Sequence, residues 1–468
     1  MKNFLWLLLL ATSSMVQGKQ ISLLDENYNQ SLKQIQIGQK ITFSDVAMDH
    51  LGTVNLKVVA QKVFADDAKI VINTDKGVVE ASPPLNQYFS GQIEGMIGSH
   101  VFFGILEGGK IEGVVTTDEG SKYALNWQQS NEFKLISQNI KSMASKDNRW
   151  FNPVDYIEIP SDQVQANKVQ SSNKTAQGNT AYYIKLAVET DFEFYNIFGN
   201  STDTVNYIAG LIGYISSIYT DEIDTSILVG NTSIWSTSSD PWIATNTECA
   251  LYEVGKYWND NNLGVDRALT HFISGKSSLS GIAWVGVLCN AGFLVDLSQS
   301  SCDGSNMSNY AGAISNYGGN YGVSSGLSGT FNPNNPQVIW DSVVVSHELG
   351  HNFNSPHTHC YEDIGGNSNP VDECNNSQAG QPGCYTGAQS LPGPSGQGSG
   401  TIMSYCHLLS PGLSNISLTL GTGHPFGTAP IRVPNRMRSH VDATALSNPL
   451  CIVPLSNLII FEDGFEGT

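Results

Sequence analysis

Three histidines and a glutamate fall within the eleven residues "HELGHNFNSPH" at 347–357. On a helix, His347 and His351 lie one turn apart and face the same way, so two imidazoles can reach one metal ion. Val345, Leu349 and Phe353 share the opposite face and would anchor that helix in a core. Glu348 follows the first histidine directly, so its carboxylate can act on a water without ligating the metal itself. This is the chemistry of a hydrolytic zinc site, with Glu348 as general base and later as proton donor to a leaving amine.

A third ligand must arrive from another direction, so the helix has to stop and the chain turn back within a few residues. Asn354 is suited to that stop. The left-handed position at a helix end usually takes Gly, and Asn is the next best tolerated residue because its short amide bonds locally. Pro356 stands where a proline commonly follows such a stop, and His357 is then delivered toward the metal. Asn there should cost less than the roughly 1–2 kcal/mol of a generic residue, against about 10 kcal/mol for a zinc site. His359 and His407 flank the group, but the ligand set is complete without them. They are expected at the surface or behind the ligands.

"HELGHNFNSPH" resembles the HExxHxxGxxH signature of the metzincins, and "GTIMSYC" (400–406) resembles their Met-turn. With "GIAWVGVLC" (281–289), the segment looks most like a reprolysin/ADAM-type catalytic domain. The stretch "YFSGQIEGMIGSHVFFGILEGGKIEGVV" is similar to the propeptides of that family. The resemblance implies an α/β (α+β) zincin-like catalytic domain with a mixed twisted sheet and an active-site helix, preceded by a β-rich propeptide. It implies one catalytic zinc ion on His347, His351 and His357, with Met403 as an apolar floor beneath it. The implied activity is that of a zinc metalloendopeptidase acting on proteins or peptides. Gly281, Ile282, Ala283, Trp284, Val285, Gly286 and Val287 would form the cleft edge and pair with an extended substrate backbone. Two residues beyond Met403, Tyr405 matches the M-x-Y pattern of astacin and serralysin relatives, in which a tyrosine can approach the metal. Oxyanion stabilisation and plain packing are both open to it. Thr358 departs from the aspartate that reprolysins usually carry after the third histidine. The rival reading is a secreted adhesin that keeps the fold without the activity, and an intact Glu348 argues against it.

These residues need a scaffold, and 468 residues are too many for one ordinary domain. Charged residues make up only 14%, against about 25% in average globular proteins, which favours a loop-rich exported chain. Met1-Lys2-Asn3 followed by "FLWLLLLA" reads as a signal peptide ending near Gly18. No later apolar run approaches the roughly 20 residues of a membrane span. A net charge of -19 would repel nucleic acid. The eight cysteines (249, 289, 302, 360, 374, 384, 406 and 451) suggest up to four disulfides, with connectivity unreadable from sequence. There is no glycine-aspartate nonapeptide array of the calcium-binding kind, and structural calcium is unknown.

Residues 19–160 alternate like strands, with a hairpin turn at Glu107–Lys110, and are expected to form the propeptide, an intramolecular inhibitor. A polar linker at 161–181 is the expected processing site, followed by the catalytic domain at 182–451 and a tail at 452–468 without an assigned role. No cysteine occurs between 19 and 248, so no propeptide cysteine can ligate the metal. Latency is expected from occlusion, the alternative being an oxygen or histidine ligand such as His50 or His100.

Overall fold

A computed structural model of the chain describes residues 19–22, 34–48, 51–118, 122–127, 134–137, 155–160, 180–327, 338–396, 398–422 and 426–457, with the single positions 32, 120, 329, 330 and 424. The expected signal peptide, His50, residues 161–179 of the expected linker and 458–468 of the tail lie outside the described residues.

Period-two alternation in the first third of the chain produces strands. They are β1 (Lys19–Ser22), β2 (Lys40–Met48), β3 (Gly52–Gln61), β4 (Ile70–Thr74), β5 (Gly77–Ala81), β6 (Gln87–Ile93), β7 (His100–Ile105), β8 (Ile111–Thr116), β9 (Lys122–Trp127), β10 (Lys134–Ser137) and the two-residue β11 (Tyr156–Ile157). Eight of them form one sheet in the order β1-β2-β3-β6-β7-β8-β9-β10. In β2 the buried positions switch from odd (Ile41, Phe43) to even (Val46, Met48). A bulge at Asp45, with φ 56°, makes that switch possible by inserting one extra residue, so all four side chains stay on the core face.

The second part mixes strands and helices, as expected of an α/β catalytic unit. Its elements are β12 (Tyr182–Thr190), α1 (Phe192–Phe198), α2 (Ser201–Ile223), β13 (Thr225–Trp235), α3 (Thr247–Asn261), β14 (Leu269–Ile273), β15 (Ile282–Trp284), β16 (Phe293–Asp296), β17 (Ile314–Gly318), β18 (Tyr321–Ser324), α4 (Val338–Asn352), α5 (Arg432–Ser447) and β19 (Val453–Pro454). The long helix α2 starts where the Asn200 side chain accepts the Asp203 N–H at 2.8 Å, and stops at Asp224 in the left-handed region. Its length follows from near-continuous burial between the sheets.

The main sheet runs β11-β15-β18-β14-β12-β13-β4-β5, with β19 added antiparallel at the start of β12. Both flanks therefore come from the first third of the chain. On one side the β4–β5 hairpin joins β13 in parallel, pairing Ile70 with Thr232 and Asn73 with Trp235. On the other, β11 pairs in parallel with β15, Tyr156 opposite Ala283. One hydrophobic core also runs across the two parts, uniting Tyr88, Phe102 and Val114 with Ile208, Leu211 and Tyr214 of α2.

All eight cysteines pair: Cys249–Cys302, Cys289–Cys451, Cys360–Cys384 and Cys374–Cys406. Among the described residues no helix is long and apolar enough to cross a membrane. The expected edge strand over 281–287 is only three residues long. Gly286 turns at φ 68°, and the N–H groups of Gly286 and Val287 bond back to the carbonyls of His351 and Asn352 at 2.9 and 3.1 Å. Hydrogen bonding to the end of α4 thus takes over from strand pairing.

Candidate metal centre

Helix α4 carries Val345, Leu349 and Phe353 into the core, where Phe353 meets Tyr219 edge-on at 5.1 Å and the Tyr219 hydroxyl donates to the Ser346 carbonyl at 2.7 Å. The opposite side presents His347 and His351. Its last turn closes at Asn354, at φ 74°, whose N–H bonds the His351 carbonyl at 2.8 Å, while the Ser355 N–H reaches the Gly350 carbonyl at 3.0 Å. From α5, Arg436 clasps this turn. Its Nε donates to the Asn354 carbonyl and its Nη2 to the Asn354 Oδ1 at 3.1 Å. The chain then returns, and His357 joins the other two, with ring centroids 5.2 Å from His347 and 4.8 Å from His351.

Each imidazole is oriented from behind. The Nδ1–H groups donate to the Ile402 carbonyl (His347, 2.7 Å), the Ser355 carbonyl (His351, 2.7 Å) and the Gln378 Oε1 (His357, 2.8 Å). Because these oxygens can only accept, the proton is fixed on Nδ1 and each Nε2 presents a lone pair inward. Burial lowers the pKa of His351 and takes that of His357 to about 3, so neither stays protonated near neutrality. Yet His347 Nε2 and His351 Nε2 stand 3.1 Å apart. Two facing lone pairs at that distance repel, and a cation between them resolves the conflict.

A fourth group completes the arrangement. The Asp155 carboxylate, 1% exposed, sets Oδ1 at 2.6 Å from His357 Nε2 and 3.5 Å from His351 Nε2, and Oδ2 at 3.4 Å from His347 Nε2. Donor atoms of all four residues lie within 4.8 Å of one another. A tetrahedral zinc site with ligands at 2.0–2.1 Å has edges of about 3.3–3.4 Å. The donor set therefore fits zinc in both chemistry and size.

Glu348 is fully buried beside this group, and its two oxygens have no hydrogen-bond partner among the described residues. Burial and the charge of Asp155 push its pKa well above the ordinary value. Its carboxylate lies beneath Gly281, where an added Cβ would fall 2.0 Å from Oε1 and push the carboxylate aside. Met403 packs against Gly350 from below, and a Cβ at 350 would sit 2.2 Å from its sulfur. Tyr405 is fully buried, with its ring 4.2 Å from that of His357.

Of the flanking histidines, His359 is buried and His407 half-buried. His359 donates from Nε2 to the Gln378 Oε1 at 2.7 Å, and burial takes the pKa of His407 to about 3. His100 is remote from the metal centre. It bonds Ser217 of α2 at 3.1 Å, because β7 faces that helix, so it is no candidate metal ligand. Gln378 escaped the sequence reading. It lies in a Gly- and Asn-rich stretch between Cys374 and Cys384, and only the fold shows that one amide oxygen serves two histidines.

Residues 180–417 match the model of a family described as Metallo-peptidase family M12. The chain belongs to that family. The M12 metallopeptidase also resembles, at 11% identity and a TM-score of 0.36, a structure titled metalloproteinase-II from Bacteroides fragilis, over 76% of this chain and 93% of that one. No curated protein matches it. Beside the metal centre of this metallopeptidase lies a cavity of about 720 Å³, lined among others by Tyr156, Glu248, Tyr252, Pro356 and Arg436.

Proposed function

We propose that the chain is a secreted zinc metalloendopeptidase made as an inactive precursor. In this reading residues 1–18 are a signal peptide, 19–160 the propeptide, 161–181 the linker that is cut, and 182–451 the catalytic domain. One observation carries it. Three imidazoles with their protons fixed outward converge beside a buried glutamate without a hydrogen-bond partner among the described residues. An inert descendant of the fold would gain stability by replacing that glutamate, because a buried unpaired carboxylate is costly.

His347, His351 and His357 would hold one zinc ion, which when bound supplies a Lewis acid that polarises a carbonyl and lowers the pKa of a water. Glu348 removes the proton from the attacking water and returns it to the leaving amine. Tyr405 is the proposed donor to the oxyanion that develops on the scissile carbonyl. The N–H groups of Ala283 and Val285 would pair with an extended substrate.

The test is Glu348→Gln in the processed protein. Zinc content should stay at one per chain while peptide turnover falls roughly 10²- to 10⁴-fold. Near-normal turnover by a zinc-loaded variant would leave the reading without its base.

A further inference from the structure

The propeptide does more than cover the cleft: we infer that Asp155 ligates the same metal ion as His347, His351 and His357 in the uncut chain. This rests on the metallopeptidase reading above. A carboxylate has no reason to sit against three inward lone pairs unless a cation lies between them, since all four groups are electron-rich. No lysine or arginine pairs with Asp155 among the described residues. Its ion-pair contacts are the three histidines.

The backbone around Asp155 holds the carboxylate in place. The Ala283 N–H donates to the Asp155 carbonyl at 3.0 Å and the Val285 N–H to the Ile157 carbonyl at 3.1 Å, so β11 occupies the edge of β15 that a substrate would need. The ring of Tyr156 lies 5.0 Å from the rings of both His351 and His357, and its hydroxyl donates to Gln381 Oε1 at 3.2 Å. One short strand thus takes two things from the enzyme at once: the open metal position and the pairing edge.

Residues 155–160 lie immediately before the linker, so a cut there gives β11 a free end. The β4–β5 hairpin still grips β13 on the far side of the sheet, so cutting alone does not release the propeptide. Release takes a cut followed by withdrawal of Asp155. Breaking the metal contact should therefore free the metal position without any cut, while β11 still covers the edge of β15.

The experiment uses the full uncut chain, loaded with zinc or with cobalt(II), as wild type, Asp155→Asn and Asp155→Ala. Asn keeps the size of the side chain and both backbone hydrogen bonds. Zinc should be present at one per chain in all three, but both variants should surrender it to a chelator at roughly tenfold lower competitor concentration or less. Their cobalt visible spectra should differ from wild type, and acetohydroxamate should shift those spectra in the uncut variants, while β11 still covers the edge of β15. Acetohydroxamate, which needs an open metal position, should leave the spectrum of the uncut cobalt-loaded wild type unchanged and shift it after linker cleavage and removal of the propeptide. That last arm needs no variant to fold. Equal chelator resistance and identical spectra across the three chains would overturn the Asp155 inference, as would an immediate hydroxamate shift in the uncut wild type. A wild-type chain that takes up no stoichiometric zinc would instead overturn the metallopeptidase reading.

Discussion

Replacing Asn354 with Gly, Ala and Val separates two jobs that the residue performs. At φ 74° it closes α4 in the left-handed region, and its Oδ1 accepts from Arg436 at 3.1 Å. All three variants lose the amide bond, a charge-assisted contact worth about 1.5–3 kcal/mol. Only Gly keeps the backbone free of strain. Ala adds about 1–2 kcal/mol in that region, and a β-branched Val more. Part of that strain would be relieved by moving the turn, which displaces His357. If about 2 kcal/mol is relieved in this way, zinc binding weakens about 30-fold, since 1.4 kcal/mol is a factor of ten. Gly should leave zinc affinity within about threefold of wild type. Competition against a chromogenic chelator should therefore rank affinities as wild type near Gly, then Ala, then Val. Equal affinities for Gly and Val would refute the argument that backbone conformation at 354 delivers the third histidine.

Gln378→Ala should weaken zinc binding by about 10- to 100-fold, because His357 loses the acceptor that orients it, whereas Gln378→Glu should retain most of the affinity. The chelator titration checks this, and an Ala variant indistinguishable from wild type would remove Gln378 from the site. Asp341, fully buried and hydrogen-bonded by Tyr207 at 2.7 Å, has its pKa pushed up to about 8 by burial. The folded state therefore binds a proton that the unfolded state gives up above about 3.8. Stability from this group is complete below that value and falls by about 1.4 kcal/mol per pH unit until about pH 8. Relative to Asp341→Asn, wild type should lose about 3 kcal/mol between pH 5 and pH 7 in urea unfolding. Parallel pH profiles would contradict it.

Local patterns were legible in the sequence wherever one element carries the whole signal. Alternation over 54–65 and 101–117 gives strands, the 3.6-residue spacing over 204–219 gives α2, and Leu106 and Lys110 close the hairpin turn with a 2.8 Å bond. The facing of His347 and His351 is equally local, as is the left-handed stop at Asn354. What the sequence could not show depends on pairing across long separations. The union of Ile70 with Thr232 has no local mark, because a strand does not state its neighbour. Asp155 stands in "NPVDYIEIP" with no spacing partner, and the nearest hint was indirect, the absence of cysteine between 19 and 248, which excludes a cysteine ligand from that stretch. The edge strand reads as longer than it is, since "GIAWVGV" is apolar throughout. The bonds that end it come from the carbonyls of His351 and Asn352, some 65 residues away.

Counting metal on the purified protein tests the central claim most directly. Elemental analysis of carefully demetallated and reloaded chains should give one zinc per chain for wild type and a marked loss for His351→Ala, with peptide hydrolysis by the processed wild type abolished by a chelator and restored by zinc. Substoichiometric zinc in a chain that still cleaves peptides, or cleavage indifferent to the chelator, would contradict the account.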